Sequence, residues 1–309
     1  MRDTPLEVEV ESFVPELPEV ETVRRGLERT VLDRRIVEVT VRNAKVLKGQ
    51  SEAELRERTV GRLITQAQRR GKYLLLPLAD TETNRLTVPE DSSPSFFLCI
   101  HLKMRGQLRV EASDAEPGPY HCVTLLLEEA LGGRKALRFY DMWTWGELRA
   151  LRQEEIGTLA PSLAQMGEEP LEPSWGAANL GAKLRGRKTA IKPTLLDQRV
   201  VAGVGNIYAD ESLFLSGIHP ERPANSLSPE ETDRLAQAVR TVLTEAVEGG
   251  GTTSDNYFDV AGLPGRFTPQ VYDRGGEPCS NCATTLTRIR LAGRGTVFCE
   301  RCQPAVIVR

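Results

Sequence analysis

Hydrophobic positions along the chain follow one spacing, then another, then the first again. Val20, Val23, Leu27 and Val31 recur at helical intervals, which predicts a helix with one apolar face. Pro18 suits its first position, and Glu19 and Glu21 its first turn. The pattern then shortens to alternating runs at residues 36–41, 73–78, 96–102, 123–127 and 137–140. Such runs predict an all-β sandwich or barrel, with polar loops at 80–94 and 112–119.

Residues 161–178 turn rich in Pro, Gly and Glu, as an interdomain linker does. Helical spacing then returns. Ser228-Pro229-Glu230-Glu231 has the form of a capping box with proline at the first position, and Leu235, Val239, Val242, Leu243 and Ala246 continue it up to Gly249-Gly250-Gly251. Residues 252–268 are rich in Gly, Asp and Thr and read as a mobile loop. No internal repeat is evident.

At 309 residues and 40% hydrophobic content the chain can bury a full core, with two domains favoured over one. No apolar run approaches the ~18 residues that cross a bilayer, and no secretory signal opens the chain. A soluble, cytoplasmic protein is expected.

The net charge of −3 conceals an uneven distribution. Asp3, Glu7, Glu9 and Glu11 face Arg2 alone in the first 14 residues. Lys183, Arg185, Arg187, Lys188, Lys192 and Arg199 cluster against Asp197, and residues 272–309 hold six arginines against three acids. Such clusters are equally read as solvated faces or as an electrostatic footprint for nucleic acid.

Six cysteines in a cytosolic chain argue against a disulfide framework. Cys99 and Cys122 lie in apolar runs and read as core thiols. Cys279, Cys282, Cys299 and Cys302 form two C-x2-C pairs separated by 16 residues. That spacing is a strong signal for one structural zinc on a hairpin.

Three segments together resemble the formamidopyrimidine-DNA glycosylase family, which is related to the endonuclease VIII-like enzymes. They are Pro15-Glu16-Leu17-Pro18-Glu19-Val20-Glu21-Thr22, the stretch from Lys192-Pro193 through Gly203-Val204-Gly205-Asn206-Ile207-Tyr208-Ala209-Asp210-Glu211, and Arg290-Leu291-Ala292-Gly293-Arg294-Gly295-Thr296. The Leu17-Pro18 form looks like the purine-directed branch. The resemblance implies an α+β multidomain fold. A helix-fronted β-sandwich over 15–160 and a linker over 161–178 would precede a helix-two-turn-helix domain over 179–268 and a zinc finger over 269–309. It further implies a monomer that binds damaged double-stranded DNA, excises 8-oxoguanine and formamidopyrimidines, and cuts the strand by β,δ-elimination. An oxidised-pyrimidine glycosylase is the alternative enzyme.

The family's residue roles fall on identifiable positions. Pro15 matches the nucleophile, Glu16 the acid that protonates the sugar oxygen, and Glu19 an electrostatic support; a plain helix start would carry the same residues. Lys72 matches a lysine beside the damaged nucleotide, and Arg294 an arginine that clamps phosphate. His101, Arg187, Lys192 and Asn206 match phosphate contacts, and Met104 matches a wedge that fills the place of an extruded base. Residues 250–267 match the segment that caps that base. Tyr120 stands where relatives often carry a DNA-contacting histidine. Trp143 and Trp145 replace an arginine and a phenylalanine that fill the void and read the opposite cytosine. Tryptophan stacks, but it has no bidentate fork, so weakened opposite-base discrimination is expected.

One covalent fact conflicts with the nucleophile. The nitrogen of Pro15 in this sequence is acylated by Val14 and has no lone pair for attack. The acidic leader is therefore expected to be a mis-assigned start, with initiation at position 14. Removal of the leader by proteolysis and a blocked, non-catalytic DNA-binding protein are the alternatives.

Overall fold

The computed structural model describes residues 14–80, 94–129, 132–253 and 257–305. All of the acidic leader but Val14, the loop from 81 to 93, and residues 254–256 of the capping segment lie outside the described residues.

Helix α1 (Leu17–Thr30) buries Leu17, Val20, Val23 and Leu27, the face its spacing predicted. It begins at Leu17, one residue before the expected Pro18. Strands β1 (Arg34–Val41), β2 (Leu63–Ile64), β3 (Gln68–Arg70), β4 (Tyr73–Ala79), β5 (Phe96–His101), β6 (Gln107–Ala112), β7 (His121–Glu128), β8 (Arg134–Tyr140) and β9 (Glu147–Leu151) follow, with α2 (Glu52–Thr59) between β1 and β2. Neighbours run β6-β8-β7-β1-β2-β4-β5-β9, and β3 pairs with β4. Every pairing is antiparallel. β1 pairs with β7 over most of its length and with β2 only at Arg34 and Arg35, with a register irregularity between Ile36 and Glu38. That break lets the sheet turn over itself. Leu74, Leu76, Leu98 and Ile100 then share one core with Leu125, Leu137 and Phe139, and α1 lies in the same core.

The second face of β4, β5 and β9 is also covered. Tyr73, Cys99 and Leu151 pack with Ile156, Ala160 and Leu163 of α3 (Gln153–Leu159) and α4 (Pro161–Ala164). The expected linker thus opens with a helix docked on the sheet. Toward its far end, the Trp175 indole N–H donates to the Ala236 carbonyl at 3.1 Å.

The helical part comprises α5 (Ala177–Leu184), α6 (Ile191–Leu196), α7 (Asn206–Ser216) and α8 (Pro229–Glu248). α8 has the predicted cap: Glu231 N donates to Ser228 Oγ at 3.2 Å, and Ser228 N donates to the Glu231 carboxylate at 2.8 Å. α7 is buried on nearly all sides. The hairpin β10 (Thr287–Leu291) and β11 (Arg294–Phe298) turns at Ala292 and Gly293, both at positive φ. It packs on α7 through Phe214, Val271, Leu286 and Val297. No helix among the described residues is long and apolar enough to cross a membrane.

Candidate active site

The N-termini of α1 and α7 converge. Glu16, the N-cap of α1, aims its carboxylate at the first turn of α7, where Gly205 N, Ile207 N and Tyr208 N donate to it at 2.7, 2.9 and 3.5 Å. The amides at a helix start have no intrahelical partner, so this end is a ready acceptor site for a carboxylate. Gly205 permits the approach: a Cβ there would lie 2.4 Å from both the Glu16 carboxyl carbon and Lys72 Nζ. The same measure places the Lys72 amine beside Glu16. Leu17 N donates to the Gly203 carbonyl at 3.0 Å and closes the junction.

Glu19 lies behind Glu16. Its carboxylate accepts from Glu16 N at 2.9 Å, from the Tyr208 hydroxyl at 2.6 Å and from Thr252 N at 2.8 Å. Burial raises the Glu16 pKa to about 7, with the Lys72 charge opposing the rise and Glu19 adding to it. Glu19 is raised too, chiefly by burial. Lys72 is lowered by burial first, with Glu16 and Glu19 raising it and Arg294 and Lys103 lowering it further. A proton-holding acid and a weakened ammonium therefore stand together next to buried Pro15.

His101, at the end of β5, accepts from Lys103 N through Nδ1 at 2.9 Å and packs edge-on to Tyr73. Burial, then Lys103 and Lys72, hold its pKa well below the usual value. Neutral His101 with Nδ1 accepting carries its proton on Nε2, which suits donation to an anion. Arg294 is exposed at the hairpin tip, and its electrostatic effect on Lys72 reaches the same place. Asn206 is half-buried in the first turn of α7, next to Gly205.

Met104, Tyr120, Trp143 and Trp145 are on turns at the sheet's end, apart from this junction. Met104 is half-buried and Tyr120 exposed. The Trp143 and Trp145 rings are 5.0 Å apart, and Trp145 is 53% exposed. Their loop is pinned. Asp141 accepts from Trp143 N at 2.9 Å and Gly146 N at 2.6 Å, Lys48 Nζ donates to the Thr144 carbonyl at 3.0 Å, and the Arg105 guanidinium lies 4.9 Å from the Trp143 ring.

Arg187 and Lys192 already have protein partners. Arg187 is half-buried and paired with Asp197 at 3.1 Å. Lys192 is wholly buried. Its ammonium pairs with Asp210 at 2.8 Å and donates to the Gly295 carbonyl at 2.6 Å and Thr296 Oγ1 at 2.8 Å. These contacts tie Lys192 of α6 to α7 and to the hairpin behind Arg294. Its sequence neighbourhood of surface cations concealed this. Lys192→Met would leave buried Asp210 without its ion-pair partner, at ~3–5 kcal/mol. The expected result is a lower melting temperature with an unchanged salt slope of DNA binding, whereas loss of a phosphate contact would lower the slope by about 1.

Residues 251–253 and 257–267 are anchored, against the expectation of a mobile loop. Thr252 N reaches Glu19, the Tyr257 hydroxyl donates to the Glu19 carbonyl at 3.1 Å, and Val110 N donates to the Val260 carbonyl at 3.1 Å. Tyr208 and Tyr257 were absent from the sequence-derived site. Tyr208 had a signal in its motif, while Tyr257 had none.

The four Sγ atoms of Cys279, Cys282, Cys299 and Cys302 lie within 4.8 Å of one another, with Cys279–Cys302 at 3.9 Å and Cys282–Cys299 at 3.4 Å. A tetrahedron with Zn–S bonds of ~2.3 Å has edges of ~3.8 Å, so the set fits one zinc with no open position. Cys299→Ala, or strong chelation, is expected to abolish DNA binding while the N-terminal sandwich stays folded. Elemental analysis, DNA retention and limited proteolysis check this, and zinc-free protein from a chelator-free purification would refute it.

The architecture is that of a two-part protein whose carboxylate–amine centre is closed by a helical domain and a zinc hairpin. Three family models match in order: the formamidopyrimidine-DNA glycosylase N-terminal domain over 14–148, its H2TH domain over 166–257, and the zinc finger found in FPG and IleRS over 276–305. The formamidopyrimidine-DNA glycosylase of Desulfitobacterium hafniense is 43% identical over 292 residues, 94% of this chain and 100% of its own. That of Thermosynechococcus vestitus is 42% identical over 94% and 98%. The crystal structure of the MutM (Fpg) protein of Thermus thermophilus superposes with a TM-score of 0.79 at 38% identity, covering 94% and 98% of the two chains. The Lactococcus lactis Fpg in complex with abasic-site DNA gives 0.81 at 31%, covering 94% and 100%. The chain belongs to the formamidopyrimidine-DNA glycosylase family.

Proposed function

We propose that Pro15 and Glu16 carry the two halves of a DNA glycosylase and lyase reaction that removes oxidised purines in base excision repair. The single observation behind this is the Glu16 carboxyl, buried next to Pro15 and held with a proton affinity suited to neutral pH. A free Pro15 amine attacks the sugar C1′ as the C1′–base bond breaks, and Glu16 delivers its proton to the ring oxygen. The resulting iminium acidifies the C2′ proton, whose loss expels the 3′ phosphate; a second elimination expels the 5′ phosphate. Water then hydrolyses the iminium and returns the amine. Lys72 is the group placed to exchange protons at the opened sugar. Arg294, Asn206 and His101 present donors to the flanking phosphates, and the pinned Trp143–Trp145 pair fills the stack. All of these groups come from one chain, which supports action as a monomer. Solved relatives bind abasic-site and Fapy-dG DNA. Incubation with an 8-oxoguanine duplex tests the assignment: free base and a one-nucleotide gap with phosphate at both ends are expected, and an intact strand would refute it.

The acylated Pro15 nitrogen favours a second reading, a protein that grips damaged duplex without cutting while the leader remains attached.

Trp143 has no fork for the opposite base. Rates on 8-oxoguanine paired with each of the four bases are therefore expected to differ by less than the ~1–3 kcal/mol of a bidentate contact. A strict cytosine preference would assign the reading to another group, such as Arg105, whose guanidinium lies 4.9 Å from the Trp143 ring.

A further inference from the structure

The turn that delivers Lys72 is held from outside its own sheet. Arg69 and Arg70 end β3 and Gly71 opens the turn to β4, whereas Glu169 lies beyond α4 on the way to the helical part. Glu169 Oε1 accepts from Gly71 N at 2.5 Å and from Arg70 Nη1 at 3.2 Å, and Oε2 pairs with Arg69 Nη1 at 2.7 Å. Arg69 Nε pairs with Glu21 of α1 at 3.1 Å, and Arg70 donates to the Met166 and Gly167 carbonyls. The side chains of Arg69, Glu169 and Glu21 are only 8%, 10% and 11% exposed. Exposed ion pairs contribute little, but removing one member of an enclosed network strands its partners. Gly71 has a φ of +55°, and a Cβ there would lie 2.3 Å from Met166 Sδ. Only glycine fits.

None of these groups touches the reacting atoms, yet Lys72 is the next residue and its amine stands beside Glu16. We propose that Glu169 is a positioning residue. It clamps the turn of residues 69–71 against residues 166–169 and thereby fixes where the Lys72 amine stands relative to Glu16 and Pro15. This rests on the reading of Lys72 as a group of the reactive site.

The test is single- and multiple-turnover cleavage of an abasic duplex across pH, using protein with a free Pro15 amine. Melting curves must show each variant folded at the assay temperature. In Glu169→Ala, kcat should fall on the order of 100-fold, the scale of a displacement of about 1 Å. KM should be nearly unchanged, because the DNA-gripping residues are elsewhere. The pH profile should shift, because the Lys72–Glu16 coupling is altered. Glu169→Gln should recover most of the rate, since its amide oxygen still accepts from Gly71 N. Gly71→Ala disturbs the same turn from the other side and should reproduce the kcat loss and the profile shift. A folded Glu169→Ala with wild-type kcat and profile overturns the proposal. If Glu169→Ala does not fold, the same wild-type behaviour in both other variants overturns it. Lys72→Ala cleaving like the wild type would refute the underlying reading of Lys72 instead, and the two failures are thus distinguishable.

Discussion

A chain that begins at Pro15 with its amine free should become covalently joined to abasic or 8-oxoguanine DNA when borohydride is present during turnover, and the chain retaining residues 1–14 should not. Only an amine with a free lone pair can add to C1′ and form the iminium that hydride reduces to a stable bond. The Val14–Pro15 peptide bond withdraws that lone pair into the amide. Strand cleavage by the longer form should be lower on the order of 10³-fold or more, the scale at which loss of a nucleophile is felt. It should still bind damaged duplex, slightly more weakly at low salt, because the leader adds net negative charge to a protein that binds a polyanion. Mass spectrometry of each form before and after reaction gives the answer. Equal trapping by an intact longer form would remove Pro15 from its role and make Lys72 the next candidate amine.

Glu16→Gln in the active form should lower base excision by about 10²–10⁴-fold, the range of general acid catalysis. The direction with pH follows from burial. With its pKa raised to about 7, Glu16 holds its proton below that pH and loses it above. The wild-type rate should therefore fall above about pH 7 as Glu16 loses its proton, and the glutamine variant should lack that fall. Because the Lys72 charge lowers the Glu16 pKa, Lys72→Met should move the limb to higher pH. Glu19 raises it, so Glu19→Gln should move the limb down. Single-turnover excision across pH measures all four profiles, and an alkaline limb surviving in Glu16→Gln would assign the proton to another group.

Local rules made some of this legible in the sequence. Ser228, Pro229 and Glu231 announce α8 because a capping box spans four residues, and the four cysteines announce the hairpin because ligand spacing is local as well. Strands β2 and β3 escaped because two or three residues show no period. α7 shows none either, being buried all round, and was visible only through its motif. The burial of Lys192 was not legible because its partners are distant in sequence: Asp210 across the helical part, Gly295 and Thr296 in the hairpin. Glu169 sat in what looked like a linker. Composition cannot show that a polar segment is spent on another domain's arginines.

α7 serves several masters within two turns. The amides of Ile207 and Tyr208 hold Glu16, and the Tyr208 hydroxyl holds Glu19. Asp210 accepts from Val297 N of the hairpin at 3.1 Å. Glu211 accepts from Gln270 N, Val271 N and Tyr272 N at 2.8 to 2.9 Å. The amide that holds the acid and the carboxylate that holds the hairpin are three residues apart, ~4.5 Å along the axis. In mechanical terms there is no compliant joint between grip and chemistry. If Arg294 grips the duplex and Glu16 delivers the proton, as proposed above, a force on the hairpin would arrive at that carboxyl through less than one turn of helix.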